Sequence, residues 1–177
     1  MEYGLDFRRS DGIRLVGFTD SDWAGSVADW KSTSRCCLSL GSAAVSWFSR
    51  KQKSIPLSSV EAEYMAASQA SCEALWLRKL LVDLFDQEMR PTVIYCGNQS
   101  CIHLFENIVF HDSSKDIEIK YHFIHDYVQR GVIELQYISA NDRVADILTN
   151  YLRRGNFIHF KDKLAVAKNN FLGKREC

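Results

Sequence analysis

Apolar and polar residues fall along this chain in blocks that predict a series of elements. Residues 13–20, Ile13-Arg14-Leu15-Val16-Gly17-Phe18-Thr19-Asp20, read as a strand ending in an acidic turn. Residues 21–33 are polar and irregular. Residues 35–40 and 43–49 are two short β-type runs joined at Gly41-Ser42, which predicts a hairpin. Arg50-Lys51-Gln52-Lys53 follows as a basic loop. Ser58 or Ser59 then caps a long helix with Glu61 and Glu63 in its first turns, where carboxylates favour the positive end of the helix dipole. Met65, Leu75, Trp76, Leu80, Leu81 and Leu84 form its apolar stripe, and it ends near Asp86. Residues 93–96 predict the next strand, and Asn98 caps a short helix reaching Phe105. After a loop near His111-Asp112-Ser113-Ser114, residues 117–129 predict a helix closed by Gly131. Residues 132–138 predict another strand. Asn141 or Asp142 caps a helix running to Leu148, and residues 157–166 predict a last amphipathic helix before a frayed tail.

The order βββ-α-β-α-α-β-α-α predicts an α/β fold. Three early strands joined by tight turns pair antiparallel, and two later strands separated by helices add in parallel. The expectation is a mixed five-stranded sheet with helices on both faces. In such a sheet, ligands gather at strand ends where the strand order reverses.

Size and composition narrow the picture. A chain of 177 residues fits one domain, and 46% hydrophobic with 12% aromatic residues is enough for a core. Two prolines and nine glycines exclude a collagen-like or disordered chain. Lys+Arg and Asp+Glu balance at 22 each, whereas free-standing nucleic-acid binders carry a basic excess. A nucleic-acid partner therefore needs a local patch or help from another domain or a host protein. No apolar run approaches the ~18 residues of a membrane span, and the first residues lack the features of a signal peptide. The expected location is cytoplasmic or nuclear. The six cysteines form no CxxC pair and are expected as reduced, mostly buried thiols. A zinc site from Cys96, Cys101 and His103 is the sharper alternative, with little support from spacing.

Three acidic positions suit metal chemistry. Asp20 closes the first strand, Glu63 lies in the first turns of the long helix, and Asp146 follows the last strand. Each alone has a structural explanation: a turn residue, a helix N-terminal acid, a solvated helix face. On one rim, they could hold hard divalent cations through oxygen. Two Mg²⁺ ions about 3.5–4 Å apart clamp the attacking water and leaving oxygen of a phosphodiester.

The motifs are more specific. Gly17-Phe18-Thr19-Asp20-Ser21-Asp22-Trp23-Ala24-Gly25, Lys31-Ser32-Thr33-Ser34, Ser46-Trp47 and Gln52-Lys53 come first, followed by Leu57-Ser58-Ser59-Val60-Glu61-Ala62-Glu63-Tyr64-Met65-Ala66. Tyr95-Cys96-Gly97-Asn98-Gln99-Ser100, Tyr121-His122-Phe123-Ile124 and Ala145-Asp146-Ile147-Leu148-Thr149 follow in order. Together they resemble the ribonuclease H domain of Copia-type retrotransposon polyproteins, from about Tyr3 to Val166. Residues 1–12 resemble the connector after the reverse transcriptase, which leaves 13–167 as the domain and 168–177 as tail.

The resemblance implies an RNase H-like fold and hydrolysis of the RNA strand of an RNA–DNA hybrid with two Mg²⁺ or Mn²⁺ ions. It implies Asp20, Glu63 and Asp146 as catalytic metal ligands, with a fourth at position 97. Glu63 is preferred to Glu61 because Glu63-Tyr64-Met65-Ala66-Ala67 resembles the Glu-x-Met-Ala-Ala helix of cellular ribonucleases H. Asp22 is either an outer contact of the metals or an exposed turn residue.

Several positions depart from the family. Gly97 stands where the family has aspartate, and Arg35 where it has glycine. Asp116 and His125 flank the Tyr-His-Phe-Ile segment, and Asn150-Tyr151 replaces Lys-Pro. A glycine offers no ligand oxygen, so activity is expected to be weak or absent, and a domesticated binding or interaction module is the alternative. Nucleic acid would be held through phosphates, with Arg35, Arg50, Lys51, Lys53, Asn98 and Gln99 as candidates. The 50–53 stretch is either a solvated loop or a phosphate-contact loop. His122 is either a packed helix residue or a catalytic one. Trp23, Trp30 and Trp47 are expected in the core.

Overall fold

The central strand β2 (Leu15–Ser21) carries the design of the sheet. It pairs antiparallel with β3 (Thr33–Leu40), which pairs antiparallel with β4 (Ala43–Lys51) across the predicted turn at Gly41. On its other side β2 runs parallel to β5 (Thr92–Cys96), which runs parallel to β6 (Ile133–Tyr137). The sheet order is β4-β3-β2-β5-β6, and its mix of three antiparallel and two parallel strands is as expected. The computed structural model describes residues 3–7, 14–86, 88–107, 115–139, 142–148 and 151–168.

Alternation along β2 sorts its side chains between two layers. Leu15 faces the cluster of Cys36, Leu38, Ile94 and Ile133 under helix α1 (Ser59–Phe85). Phe18 packs on the opposite layer with Cys37, Val144, Phe160 and Leu164. A third cluster joins α1 to α2 (Gln99–Glu106) and α3 (Lys115–Gln129) through Tyr64, Cys96, Phe105 and Ile124. Helix α4 (Arg154–Lys163) covers the other face.

Helix α1 begins as the sequence predicts. Ser58 Oγ accepts from the Glu61 N–H at 3.1 Å, and the Glu61 carboxylate accepts from the Leu57 N–H at 2.6 Å, a reciprocal cap. Its packed face includes Leu81 and Leu75 of the expected stripe, but alanines dominate it. Ala62, Ala66, Ala67, Ala70 and Ala74 are fully buried, whereas Trp76, Leu80 and Leu84 are exposed. Small residues let the helix lie close on the sheet, with Tyr64, Leu77 and Leu81 buried beside them.

Other expectations are corrected. Residues Val144–Leu148 form a 3₁₀ helix rather than an α-helix, and Asn141, one of its two proposed caps, lies outside the described residues. The last helix starts earlier than predicted, at Arg154. The stretch read as a connector contributes β1 (Tyr3–Leu5), which pairs antiparallel with β7 (Val166–Lys168). The Asp6 N–H to Ala165 C=O bond, at 2.8 Å, extends this clasp. Trp23, Trp30 and Trp47 are 57%, 64% and 58% exposed, so none belongs to the core. Cys36, Cys37, Cys96 and Cys101 are buried free thiols. Among the described residues no helix is long and apolar enough to cross a membrane.

Candidate active site: a carboxylate rim closed by two arginines

Parallel pairing sets Phe18 of β2 beside Tyr95 of β5. Two residues further along each chain come Asp20 and Gly97, so the two positions the family pattern singles out stand side by side. Asp20 is buried, with 2% of its surface exposed. A carboxylate so enclosed needs partners, and both of its oxygens have them.

The first partner follows from strand register. Arg35 sits directly opposite Asp20 on β3. Its Nη1 donates to Asp20 Oδ2 at 2.5 Å, and its Nη2 donates to Asp22 Oδ2 at 3.1 Å. The other Asp22 oxygen accepts from the Thr33 N–H at 2.7 Å. Asp22 therefore anchors the turn and shares a guanidinium with Asp20. Arg35 is only 5% exposed and faces inward, so it presents no cation to a phosphate at the surface.

The second partner comes from a distant part of the chain. Arg143, just ahead of the 3₁₀ helix, donates from Nη1 to the remaining Asp20 oxygen at 2.5 Å. Its guanidinium also fills the space beside Gly97. A Cβ built at position 97 would lie 2.5 Å from Arg143 Cζ and 2.5 Å from Nη2. Gly97 is not in the left-handed region, so its backbone would accept a side chain. What excludes one is the arginine.

The other two carboxylates converge on the same charges. Glu63 is 7% exposed, and burial, reinforced by Cys96 and Asp20, pushes its pKa up to about 9. Cys96 Sγ lies 3.9 Å from Glu63 Oε2. Burial, then the Asp20 charge, raises Asp146 to about 6. Burial alone would lower the pKa of Arg143, but Asp20, Asp146 and Glu63 hold it above the usual value. Asp146 Oδ1, Arg143 Nε and Arg35 Nε are buried without a hydrogen-bond partner. The Asp20 charge thus reaches both Glu63 and Asp146, and the Arg143 charge opposes it at each.

This donor set does not fit the two-metal arrangement implied by the family. Both Asp20 oxygens are bonded to arginines, and Gly97 supplies none. Among the described residues no three His, Cys, Asp or Glu side chains converge to hold a metal, which covers the proposed Cys96, Cys101 and His103 site as well. A divalent ion about 4 Å from a fixed guanidinium would meet repulsion on the order of 8 kcal/mol at an effective dielectric of about 20. That cancels the attraction of one carboxylate at the same distance, so the arginine removes the gain that a rim carboxylate would give the ion.

The remaining candidates are spread over the surface. Arg50 is exposed and lies over the Phe48 ring at 4.9 Å. Lys51 is paired with Asp29 at 3.0 Å, and Lys53 is exposed. Asn98 is committed as the cap of α2, accepting from the Cys101 N–H at 3.0 Å, and Gln99 is exposed on its first turn. His122 is on the exposed side of α3, away from the packed position of Ile124. Asn150 and the side chain of Asp116 lie outside the described residues, and Tyr151 is fully exposed. Two residues escaped sequence reasoning. Arg143 had no local signal, being 123 positions from its partner. Gln52, read as part of a basic loop, is buried, and its Nε2 donates to Ser34 Oγ at 3.0 Å and Ala62 C=O at 2.9 Å. It ties β3 to the start of α1, which fixes where Glu63 stands.

Comparisons with known proteins agree with this architecture. The chain is 38% identical over 167 residues to the retrovirus-related Pol polyprotein from transposon RE2 of Arabidopsis thaliana. It is 39% identical over 166 residues to that from transposon RE1 of the same plant. Each alignment covers 94% of this chain but only 12% and 11% of the polyproteins, so the chain spans about one-eighth or less of their length. No family model matches. Among solved structures, the N-terminal RNase H domain of Rv2228c from Mycobacterium tuberculosis, fused to maltose-binding protein, superposes with a TM-score of 0.55 at 12% identity. The superposition covers 78% of this chain and 91% of that one. At that identity the likeness speaks for the fold, while the sequence relatives speak for descent. The chain belongs to the Copia-type retrovirus-related Pol polyproteins, as a segment with the RNase H-like fold.

Proposed function

We propose that this chain derives from a ribonuclease H that cleaved the RNA strand of RNA–DNA hybrids with Mg²⁺ or Mn²⁺, and that this reaction is severely impaired here. The observation that carries the proposal is the Arg143 guanidinium against Gly97, bonded to Asp20. A phosphodiester hydrolase needs its carboxylates free to share positive charge with the attacking and leaving oxygens. In this rim that charge is internal and fixed.

The test is cleavage of a labelled hybrid by the full chain with Mg²⁺ and with Mn²⁺. Turnover on the order of 10²-fold or more below a homologous domain with four carboxylates is expected. Turnover within tenfold of that domain, abolished by Asp20→Asn, would overturn the impairment.

A second reading, a binding module without catalysis, is supported by the exposed Arg50, Lys53, Trp23, Trp30 and Trp47. Exposed cations and exposed indoles are the side chains that hold phosphates and stack on bases in single-strand binders. It predicts hybrid binding in EDTA that weakens steeply with salt. Absence of binding at low salt would remove nucleic acid as the ligand and leave a host protein. Action in the cytoplasm or nucleus belongs to both readings.

A further inference from the structure

We propose that Arg143 is the resident cation of this rim: it takes the place of a divalent ion, and its removal would open a metal site. The inference rests on reading the rim as a former ribonuclease H centre.

Three observations support it. The guanidinium bonds Asp20 and lies against Gly97, in the space a side chain at 97 would need. Its remaining Nε and the Asp146 Oδ1 are both buried and without hydrogen bonds. Lastly, Arg143 is 20% exposed at its side chain, against 6% for Arg35. Arg35 is therefore a built-in strand partner, while Arg143 reaches in from the edge at the end of a flexible stem. Of the two cations, Arg143 is the one whose loss would leave the rest of the rim standing. Asp20 Oδ1 and Asp146 would then face a vacated pocket of net negative charge, and a hard cation such as Mn²⁺ binds oxygen donors of this kind. With Arg35 still holding the other Asp20 oxygen, the opened site would take one ion.

The test is Mn²⁺ binding by the full chain, followed by electron paramagnetic resonance and by the Mn²⁺ dependence of Tm. Wild type is expected to show no saturable binding below about 1 mM and no shift in Tm. Arg143→Gln is expected to bind one Mn²⁺ at least ~10-fold more tightly, with a Tm lowered in EDTA and raised again by Mn²⁺. Asp20→Asn in that background should remove the ion. Arg143→Lys, which keeps the charge, should behave as wild type. Tight Mn²⁺ binding by wild type that Asp20→Asn abolishes would overturn the proposal, and this arm needs no Arg143 variant to fold. So would a folded Arg143→Gln chain that binds Mn²⁺ no better than wild type. These readouts are independent of cleavage: hybrid turnover by wild type would contradict the impaired-nuclease reading, whereas Mn²⁺ exclusion concerns Arg143 alone.

Discussion

Gly17 lies on the central strand β2 and Gly97 just past the end of its parallel neighbour β5, yet they are small for opposite reasons. A Cβ at Gly17 would meet Leu38 Cδ2 at 2.9 Å and Ile94 Cγ1 at 3.2 Å. Those atoms belong to a fully buried apolar cluster that has nowhere to move. A Cβ at Gly97 would meet the tip of a partly exposed arginine. The first glycine is held by packing and serves the fold. The second is matched by a charge and serves, or replaces, the chemistry. Within two turns of the strand pleat the same sheet passes from a region specified by shape to one specified by charge.

The largest expected effect would break that contrast at the rim. Gly97→Asp alone adds a carboxylate beside a guanidinium ready to pair with it, so hybrid cleavage should rise by less than about tenfold. Arg35→Gly, Gly97→Asp and Arg143→Gln together free both Asp20 oxygens and restore the fourth carboxylate. Cleavage should then rise on the order of 10²-fold or more. Equal recovery by Gly97→Asp alone would mean that the arginines are bystanders.

Next in size is a question of sign. In a bare acidic rim, neutralising one carboxylate relieves repulsion and stabilises. Here Asp20→Asn strands two guanidinium groups in a buried site and should cost about 3 kcal/mol in urea denaturation. A gain in stability would refute the ion-pair lattice.

The two glycines can be compared directly. Gly17→Ala should cost about 1–3 kcal/mol through overpacking. Gly97→Ala should cost less, because a flexible side chain can yield, and it should loosen Arg143 from Asp20. A reversed order of midpoints in the same denaturation series would contradict the distinction between them.

The smallest effect is on pH. Glu63 is raised from 4.5 to about 9, so the folded state holds a proton that the unfolded chain releases. Its contribution to stability is fully present below about pH 4.5 and is lost as pH rises to about 9. Asp146, raised to about 6, adds a narrower loss between its ordinary value of 3.8 and that pH. Glu63→Gln should therefore flatten the fall in stability across this window and gain on the order of 1 kcal/mol at pH 8. An unchanged slope would show Glu63 to be ionised at neutral pH.

What the sequence revealed follows the same division. Elements with a period or a cap were legible: the hairpin at Gly41-Ser42, the Ser58 start of α1, the Asn98 cap of α2 and the mixed pairing of the five strands. Asp20, Glu63 and Asp146 were picked out by motif, and the Asp20 charge reaches both of the others, although the three do not converge as a metal-holding group among the described residues. The cations that bond Asp20 were not picked out. Arg35 was visible as an odd residue, but its partner emerges only when β2 and β3 are set in register. Arg143 approaches from a loop with no pattern, and long-range ion pairs leave no trace in local sequence. The tryptophans were misjudged because size suggests burial, whereas Trp23 and Trp30 fall in the segment between β2 and β3 and Trp47 stands on the edge strand β4. The β1–β7 clasp is too short to show alternation.

Diffraction from crystals soaked in Mn²⁺ at its anomalous edge would test the central claim most directly. The prediction is no anomalous peak at the rim, with the Arg143 guanidinium between Asp20 and Gly97. One or two Mn²⁺ peaks coordinated by Asp20, with Arg143 swung out to solvent, would contradict it.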